Sequence, residues 1–171
     1  MRYVFCPQCG SKLGMRQAGD DGPVPYCTAC GKYWFDSFHS CVSVLTYNEL
    51  DEIVLCRQDY ISTKYLSITS GYITPGETAE QAAEREVAEE LGIHLESLQY
   101  AGTYWYEGSS LLLHGFIGFA HKQRLVLSSE VDEAAWVPAL QAKARMYPDK
   151  PGNAAAGVYK RYLALRGLQE G

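Results

Sequence analysis

The chain reads as an α+β protein, a layered α/β/α sandwich of strands and helices behind a small cysteine-stapled module. Three observations carry this. Two C-x-x-C pairs, Cys6/Cys9 and Cys27/Cys30, lie within the first 36 residues with seventeen residues between them. Behind them come short apolar runs bounded by Gly, Pro, Asn and Asp, the pattern of strands and turns. Two longer stretches, residues 78–91 and 154–166, instead carry apolar side chains at helical spacing. At 171 residues, 47% hydrophobic and 20% charged, the chain has room for one core of roughly 130 residues plus the small module. The expected division is residues 1–36 and residues 37–171.

Residues 1–36 form the ribbon-like module, and residues 14–25, with their Gly-Asp-Asp-Gly-Pro run, read as a loop between its knuckles. Residues 39–46 make a strand that turns at Asn48-Glu49 and returns over 52–57 as an antiparallel hairpin. Residues 65–69 are a short strand, and Pro75-Gly76 turns the chain. Thr78 then caps a helix, with Gln81 three residues on, and Gly92 stops it after Leu91. Residues 98–106 and 111–120 are strands flanking Glu107-Gly108-Ser109, and residues 131–137 are a further strand ended by Pro138. The last helix, 154–166, turns Val158, Tyr162 and Leu165 inward. Cys41 and Cys56 sit in apolar strand runs and read as buried, inert thiols.

Thiolate sulfur suits tetrahedral Zn²⁺, and four such ligands leave no open position, so the two cysteine pairs point to a structural zinc ribbon. Gly10 and Gly31, one after each pair, allow the backbone to turn tightly there. Paired disulfides and a redox dithiol are the competing readings. Disulfides need an oxidising compartment, and residues 1–5 run into the first knuckle without a secretory segment. A redox dithiol needs only one pair. The expected compartment is the cytoplasm. No apolar run approaches about 18 residues, so no membrane span is expected.

Residues 71–93 hold the chemistry. Glu86, Glu89 and Glu90 share one face of the helix, where three carboxylates repel one another. Mg²⁺ or Mn²⁺, which prefer hard oxygen ligands, would remove that conflict. A solvated face with an Arg85–Glu89 surface pair is the plainer alternative. The full pattern is G-x5-E-x7-R-E-U-x-E-E-x-G-U, with U aliphatic. It is filled at Gly71, Glu77, Arg85, Glu86, Val87, Glu89, Glu90, Gly92 and Ile93.

This pattern resembles the signature of the Nudix hydrolases, which cleave a nucleoside diphosphate linked to another group. The resemblance implies the Nudix sandwich with a mixed sheet, and a metal-dependent pyrophosphatase. It implies Glu86 and Glu90 as principal metal ligands, Glu89 as a further ligand or base, and Ser70 as a backbone-carbonyl ligand. Arg85 would orient Glu77 and Glu89. Glu130, in a segment similar to one where several Nudix enzymes place another glutamate, would bind metal or act as a base, with Glu133 its neighbour and rival. A homodimer is the family expectation.

A zinc ribbon ahead of such a domain resembles the NADH pyrophosphatase group, whose Ser-Gln-Pro-Trp-Pro-Phe-Pro run follows the box. Here that place reads Thr103-Tyr104-Trp105-Tyr106-Glu107-Gly108-Ser109. The tryptophan stands in register and the prolines are missing. Tyr104, Trp105, Tyr106 and Ser109 are therefore candidate substrate contacts, with core strand residues as the alternative reading. The substrate implied is a dinucleotide: NAD(H), FAD, ADP-ribose, a diadenosine polyphosphate, or a nicotinamide-type cap on RNA. A net charge of −5 argues against a broad basic surface for nucleic acid. A non-catalytic sensing or binding module is the alternative from another class, and three retained, mutually repelling carboxylates argue against it.

Overall fold

The computed structural model describes residues 3–169, and the chain divides into two compact units, Met1–Phe38 and His39–Gly171. The first is a three-stranded antiparallel sheet of β1 (Gly14–Gln17), β2 (Pro23–Cys27) and β3 (Lys32–Tyr33), in that order. The stretch expected to be a loop is thus a hairpin, closed by a single turn of 3-10 helix at Gly19–Asp21. All four β1 residues are exposed, so no apolar alternation betrays the strand. Its stabilisation comes from the facing strand, with the Arg16 guanidinium 4.6 Å above the Tyr26 ring.

The second unit is built on a six-stranded mixed sheet. Its strands are β4 (His39–Tyr47), β5 (Glu52–Arg57), β6 (Thr69–Tyr72), β7 (Ser97–Tyr106), β8 (Leu111–Phe119) and β9 (Glu133–Pro138). They run in the order β7-β8-β4-β5-β9, with β6 also paired to β4. The β4–β8 pair is parallel and the other pairs are antiparallel. Helix α1 (Ala79–Leu91) covers one face, while the short α2 (Ala139–Ala142) and α3 (Ala154–Arg166) cover the other. No helix among the described residues is long and apolar enough to cross a membrane.

The two faces explain why the central strands read as unbroken apolar runs. In β5, Ile53 and Leu55 enter the α3-side core while Val54 and Cys56 enter the α1-side core. In β4, Val42 and Val44 face α1 and Leu45 faces α3. A strand covered on both faces has no polar side to alternate with. Each fully buried aliphatic or Phe side chain contributes about 1.5–3 kcal/mol. The β5–β4–β8 base, with Ile53, Leu55, Leu45 and Phe116 almost wholly buried, is therefore the rigid floor on which the loops are set.

Helix α1 begins with a capping box, Thr78 accepting from the Gln81 amide and Gln81 accepting from the Thr78 amide. It ends at Gly92 in the left-handed region, φ +68°. Two expectations shift, and one short helix was not expected. The strand expected over residues 65–69 is displaced to Thr69–Tyr72, because pairing with β4 sets Ser70 and Gly71 opposite Ser43 and Val42. The turn α2 carries too few residues to show a period. Leu165 is 44% exposed, since the buried stripe of α3 runs through Ala155, Val158, Tyr159, Tyr162 and Leu163. Beyond the Gly167 cap, the Leu168 amide bonds back to the Leu163 carbonyl at 2.9 Å, so Leu168 covers that core end instead.

Candidate functional site

A cleft of about 530 Å³ opens in the second unit, lined by residues of β4, β5, β6, α1, β8 and the connecting loops. Its acidic wall is Glu86 and Glu90 from α1 with Glu130 from the loop before β9. Glu86 and Glu90 are one helical turn apart and so share a face. Glu90 is buried, 4% exposed. One of its oxygens accepts a 2.8 Å hydrogen bond from Gln58 Nε2, and the other has no hydrogen-bond partner among the described residues. Burial, followed by the charge of Glu86 and then those of Glu130 and Glu89, raises the Glu90 carboxyl to about 7, against the Gln58 bond that lowers it. A buried carboxylate with a bare oxygen is costly unless a cation reaches it.

Gly71 is what lets Glu86 in. A side-chain carbon built on Gly71 would overlap the Glu86 carboxyl group, so a larger residue at position 71 would have to displace that carboxyl. Arg85 then fixes the wall from behind. Its Nε and Nη2 grip both oxygens of Glu77 at 3.0 and 2.7 Å, and Nη1 reaches Glu86 at 2.7 Å and Glu89 at 3.0 Å. Nη2 also donates to the Tyr72 carbonyl at 3.0 Å, and Glu77 accepts from the Thr74 amide at 2.6 Å. The planar fork thus ties the 72–77 loop to the helix. It holds the Glu77 carboxyl down at about 2.

The remaining expected residues divide. Ser70 lines the cleft and its hydroxyl donates to Ser43 Oγ at 3.2 Å. Glu89 is exposed and occupied with Arg85, and it is not on the cleft wall. Glu133 pairs with Arg57 at 3.2 Å across the β5–β9 ladder, leaving Glu130 as the acid of that segment in the cleft. None of Tyr104, Trp105, Tyr106 and Ser109 lines the cleft. Tyr104 packs against the α3-side core, and Trp105 and Tyr106 stand exposed on β7, the edge strand of the sheet. The strand that follows turns Leu111 and Leu113 into the cleft instead.

Sequence reasoning missed Gln58 and the aromatic rim of Tyr60, Tyr65 and Tyr147. A glutamine at a strand end and tyrosines in loops carry no spacing signal. Cys41 and Cys56 also line the cleft, yet burial pushes their thiols up to about 11 and 12, so neither is a ready nucleophile.

In the first unit the four sulfurs of Cys6, Cys9, Cys27 and Cys30 all lie within 4.8 Å of one another, in a cluster that could hold a metal ion. Sulfurs 2.3 Å from a tetrahedral ion would sit about 3.8 Å apart. Cys6–Cys30 is 3.9 Å and Cys9–Cys27 is 3.6 Å, which fits that tetrahedron and is far too long for a disulfide. Each pair is wound by the same turn. The Gly10 amide bonds the Cys6 carbonyl at 2.8 Å and the Gly31 amide bonds the Cys27 carbonyl at 2.9 Å, with φ +73° and +67° at the two glycines.

Comparison with known proteins places these features in a family context. The model of the NUDIX domain matches residues 37–157. The chain is similar to the NAD-capped RNA hydrolase NudC of Stutzerimonas stutzeri, 33% identical over 148 residues, which cover 83% of this chain and 52% of that protein. It is similar to the Pseudomonas aeruginosa protein of the same name at 29% over 133 residues, 77% of this chain and 46% of that one. The chain therefore spans about half the length of the curated relatives it matches. Among solved structures, a NUDIX hydrolase from Nitrosomonas europaea superposes with a TM-score of 0.68 at 18% identity, covering 98% of this chain and 94% of that one. The NUDIX domain of Shewanella oneidensis NrtR, complexed with ADP ribose, gives 0.65 at 12% identity, covering 82% and 94%. At such identities the likeness concerns the fold.

Proposed function

Because the chain belongs to the NUDIX family, we propose that it hydrolyses the diphosphate linkage of a nucleoside diphosphate derivative, a dinucleotide of the NAD type or an RNA end capped by one, with Mg²⁺ or Mn²⁺ in the cleft. The observation that carries this reading is the buried Glu90 carboxylate with one unpartnered oxygen, beside Glu86 and Glu130 on the same cleft wall. A hard-oxygen donor set of this kind suits a divalent ion that still has places for water and phosphate. The names of the curated relatives support the dinucleotide class.

When bound, such ions neutralise the diphosphate and lower the pKa of a coordinated water. The residues supply the rest. Glu86, Glu90 and Glu130 would hold the ions, with the Ser70 carbonyl as a further candidate ligand. Gln58 fixes the rotation of the Glu90 carboxylate, so that its second oxygen is the one left for a ligand. Arg85 keeps Glu86 from swinging into solvent and holds Glu89 at the helix surface, where Glu89 would accept a proton only if the substrate brought it closer. Tyr60, Tyr65 and Tyr147 give ring faces for a base at the rim. In the first unit we assign Zn²⁺ to the four cysteines, as a structural ion without an open position.

The test is to incubate the full chain with NAD⁺, NADH, FAD, ADP-ribose and diadenosine polyphosphates, with Mg²⁺ or Mn²⁺, and to separate products by chromatography. NAD⁺ or NADH should give two mononucleotides. Turnover of none of these with either cation would overturn the reading.

A further inference from the structure

Glu130 reaches the cleft from residues 120–132, which form neither helix nor strand. A connection of that length loses much conformational entropy when it is held still, so Glu130 keeps one place only if the loop is tied down. The ties run to two particular partners. On one side the Val126 amide bonds the Leu91 carbonyl at 2.9 Å, and the Ser128 amide bonds the Glu90 carbonyl at 3.2 Å. On the other side the Asp132 amide bonds the Arg57 carbonyl at 2.9 Å. There the Asp132 carboxylate also accepts from the Asp59 amide at 2.7 Å. Between the two, buried Val131 packs into the α1-side core.

Glu130 therefore lies midway in a clamp. Two residues before it, Ser128 is fastened to the backbone of Glu90, and the Ser128 hydroxyl accepts from the Glu130 amide at 3.3 Å. Two residues after it, Asp132 is fastened to the residues on either side of Gln58, whose side chain holds the Glu90 carboxylate. The loop after β5 is drawn in as well, with the Ile61 and Ser62 amides on the Gln58 carbonyl at 2.9 and 3.0 Å. Most of these ties are between backbone groups and would survive a side-chain change. The Asp132 carboxylate is a side chain that joins the two loops. Like charges surround it, since Glu130, Glu133 and Asp59 are its neighbours and the Arg57 guanidinium is shared between Asp59 and Glu133. The charge-assisted bond to the Asp59 amide offsets that repulsion. Asp132 is exposed, so the clasp contributes position rather than core burial.

We infer that Asp132 is a positioning residue of the cleft: by clasping the Asp59 amide, it holds Glu130 where Glu130 and Glu90 can ligate the same divalent cation. This rests on the diphosphohydrolase reading of the cleft for its chemistry, while the clasp itself is independent of which diphosphate is cleaved. Asp132 acts through Glu130 and touches neither substrate nor ion.

The experiment uses the full chain with its cysteine cluster loaded with Zn²⁺. It compares wild type with Asp132→Ala, Asp132→Asn, Glu130→Gln and the double variant D132A/E130Q. Mn²⁺ binding is measured without substrate, from the electron paramagnetic resonance of free Mn²⁺, and NAD⁺ cleavage is followed against Mn²⁺ concentration. Asp132→Ala should weaken Mn²⁺ binding about tenfold or more. The Mn²⁺ needed for half-maximal cleavage should rise by the same factor, with KM for NAD⁺ at saturating Mn²⁺ unchanged. Asp132→Asn keeps an acceptor oxygen for the Asp59 amide and should restore most of the binding. The double variant should lose no more than Glu130→Gln alone, because Asp132 acts only through Glu130. Undiminished Mn²⁺ binding in Asp132→Ala or in Glu130→Gln would overturn the inference, as would losses that multiply in the double variant. A loss in Asp132→Asn as large as in Asp132→Ala would also overturn it, since charge and not the clasp would then matter. If Mn²⁺ binding follows the expected pattern while the wild type cleaves no diphosphate, the clasp stands and the reading of the cleft as a hydrolase falls.

Discussion

In the first unit four sulfurs close on one point, all within 4.8 Å, from two copies of one glycine-terminated turn. In the second unit Glu86, Glu90 and Glu130 come from a helix and a distant loop and line a cleft of about 530 Å³. The protein completes the sulfur set by itself, which leaves a bound ion no vacant position. The carboxylate set is incomplete, with a buried oxygen left bare, and such a set has work for an ion that also holds water and phosphate. Closure against incompleteness is the difference between a staple and a workplace, and it can be tested by damaging each in turn.

The largest effect is expected at the incomplete site. Glu90→Gln keeps the shape and the acceptor for Gln58 but removes the charge. Turnover should fall at least about a hundredfold, while the thermal midpoint holds or rises, because a desolvated charge has gone. Activity and melting measured on one preparation check both. A parallel fall in melting temperature would make Glu90 a structural acid.

At the closed site the consequence should be inverted. Cys27→Ser, or stripping by a zinc chelator, should abolish the folded signals of the first 38 residues, since free energy of structural zinc binding is folding free energy. NAD⁺ cleavage should keep most of its rate once Mn²⁺ is restored. Heteronuclear NMR of the first unit alongside the assay reads both. A ribbon that survives complete loss of metal would remove the staple from the comparison.

Gly71→Ala probes how the open site is kept open. The added methyl would displace the Glu86 carboxyl, so the Mn²⁺ concentration for half-maximal activity should rise by about ten- to a hundredfold, as read by metal titration. An unchanged titration would take Glu86 out of the ligand set.

What the sequence disclosed follows the same division. The cysteine pairs and the box glutamates are local patterns, so spacing alone assembles them. The hairpin β4–β5 and helix α1 were equally readable, since turn residues and caps are local too. Gln58, Tyr65 and Tyr147 reach the cleft only through the sheet order and the loop following α2, and no window of sequence contains that order. The aromatic run at Tyr104–Tyr106 carries two readings, base contacts or core strand residues, and no local pattern chooses between them. Its chemistry suits a base, but its strand lies at the sheet edge with Tyr104 turned to the α3 core. Hairpin β1–β2 was hidden because an exposed strand has no hydrophobic period.

The smallest effect should come from a charge that belongs to neither site. Asp51 sits in the turn between β4 and β5 at φ +53°, where it accepts from Arg166 Nε at 2.7 Å and from Tyr162 Oη at 3.0 Å. The Arg166 bond foremost holds its carboxyl below the ordinary range. With the folded value depressed, the ionised form stabilises the fold above an unfolded pKa of about 3.9. That contribution is lost as pH falls through the lower folded value. The side chains of Arg166 and Asp51 are 41% and 35% exposed, so water and salt screen the pair to about 0.5 kcal/mol. Asn tolerates the left-handed backbone and keeps an acceptor for Tyr162. Asp51→Asn should therefore lower the melting temperature at pH 7 by only about 1–2 °C, a gap that narrows in high salt and closes in strong acid, with NAD⁺ turnover unchanged. A large loss of turnover would mean that α3 and this turn govern the cleft, and the contrast between an isolated staple and a self-contained workplace would have to admit a third part.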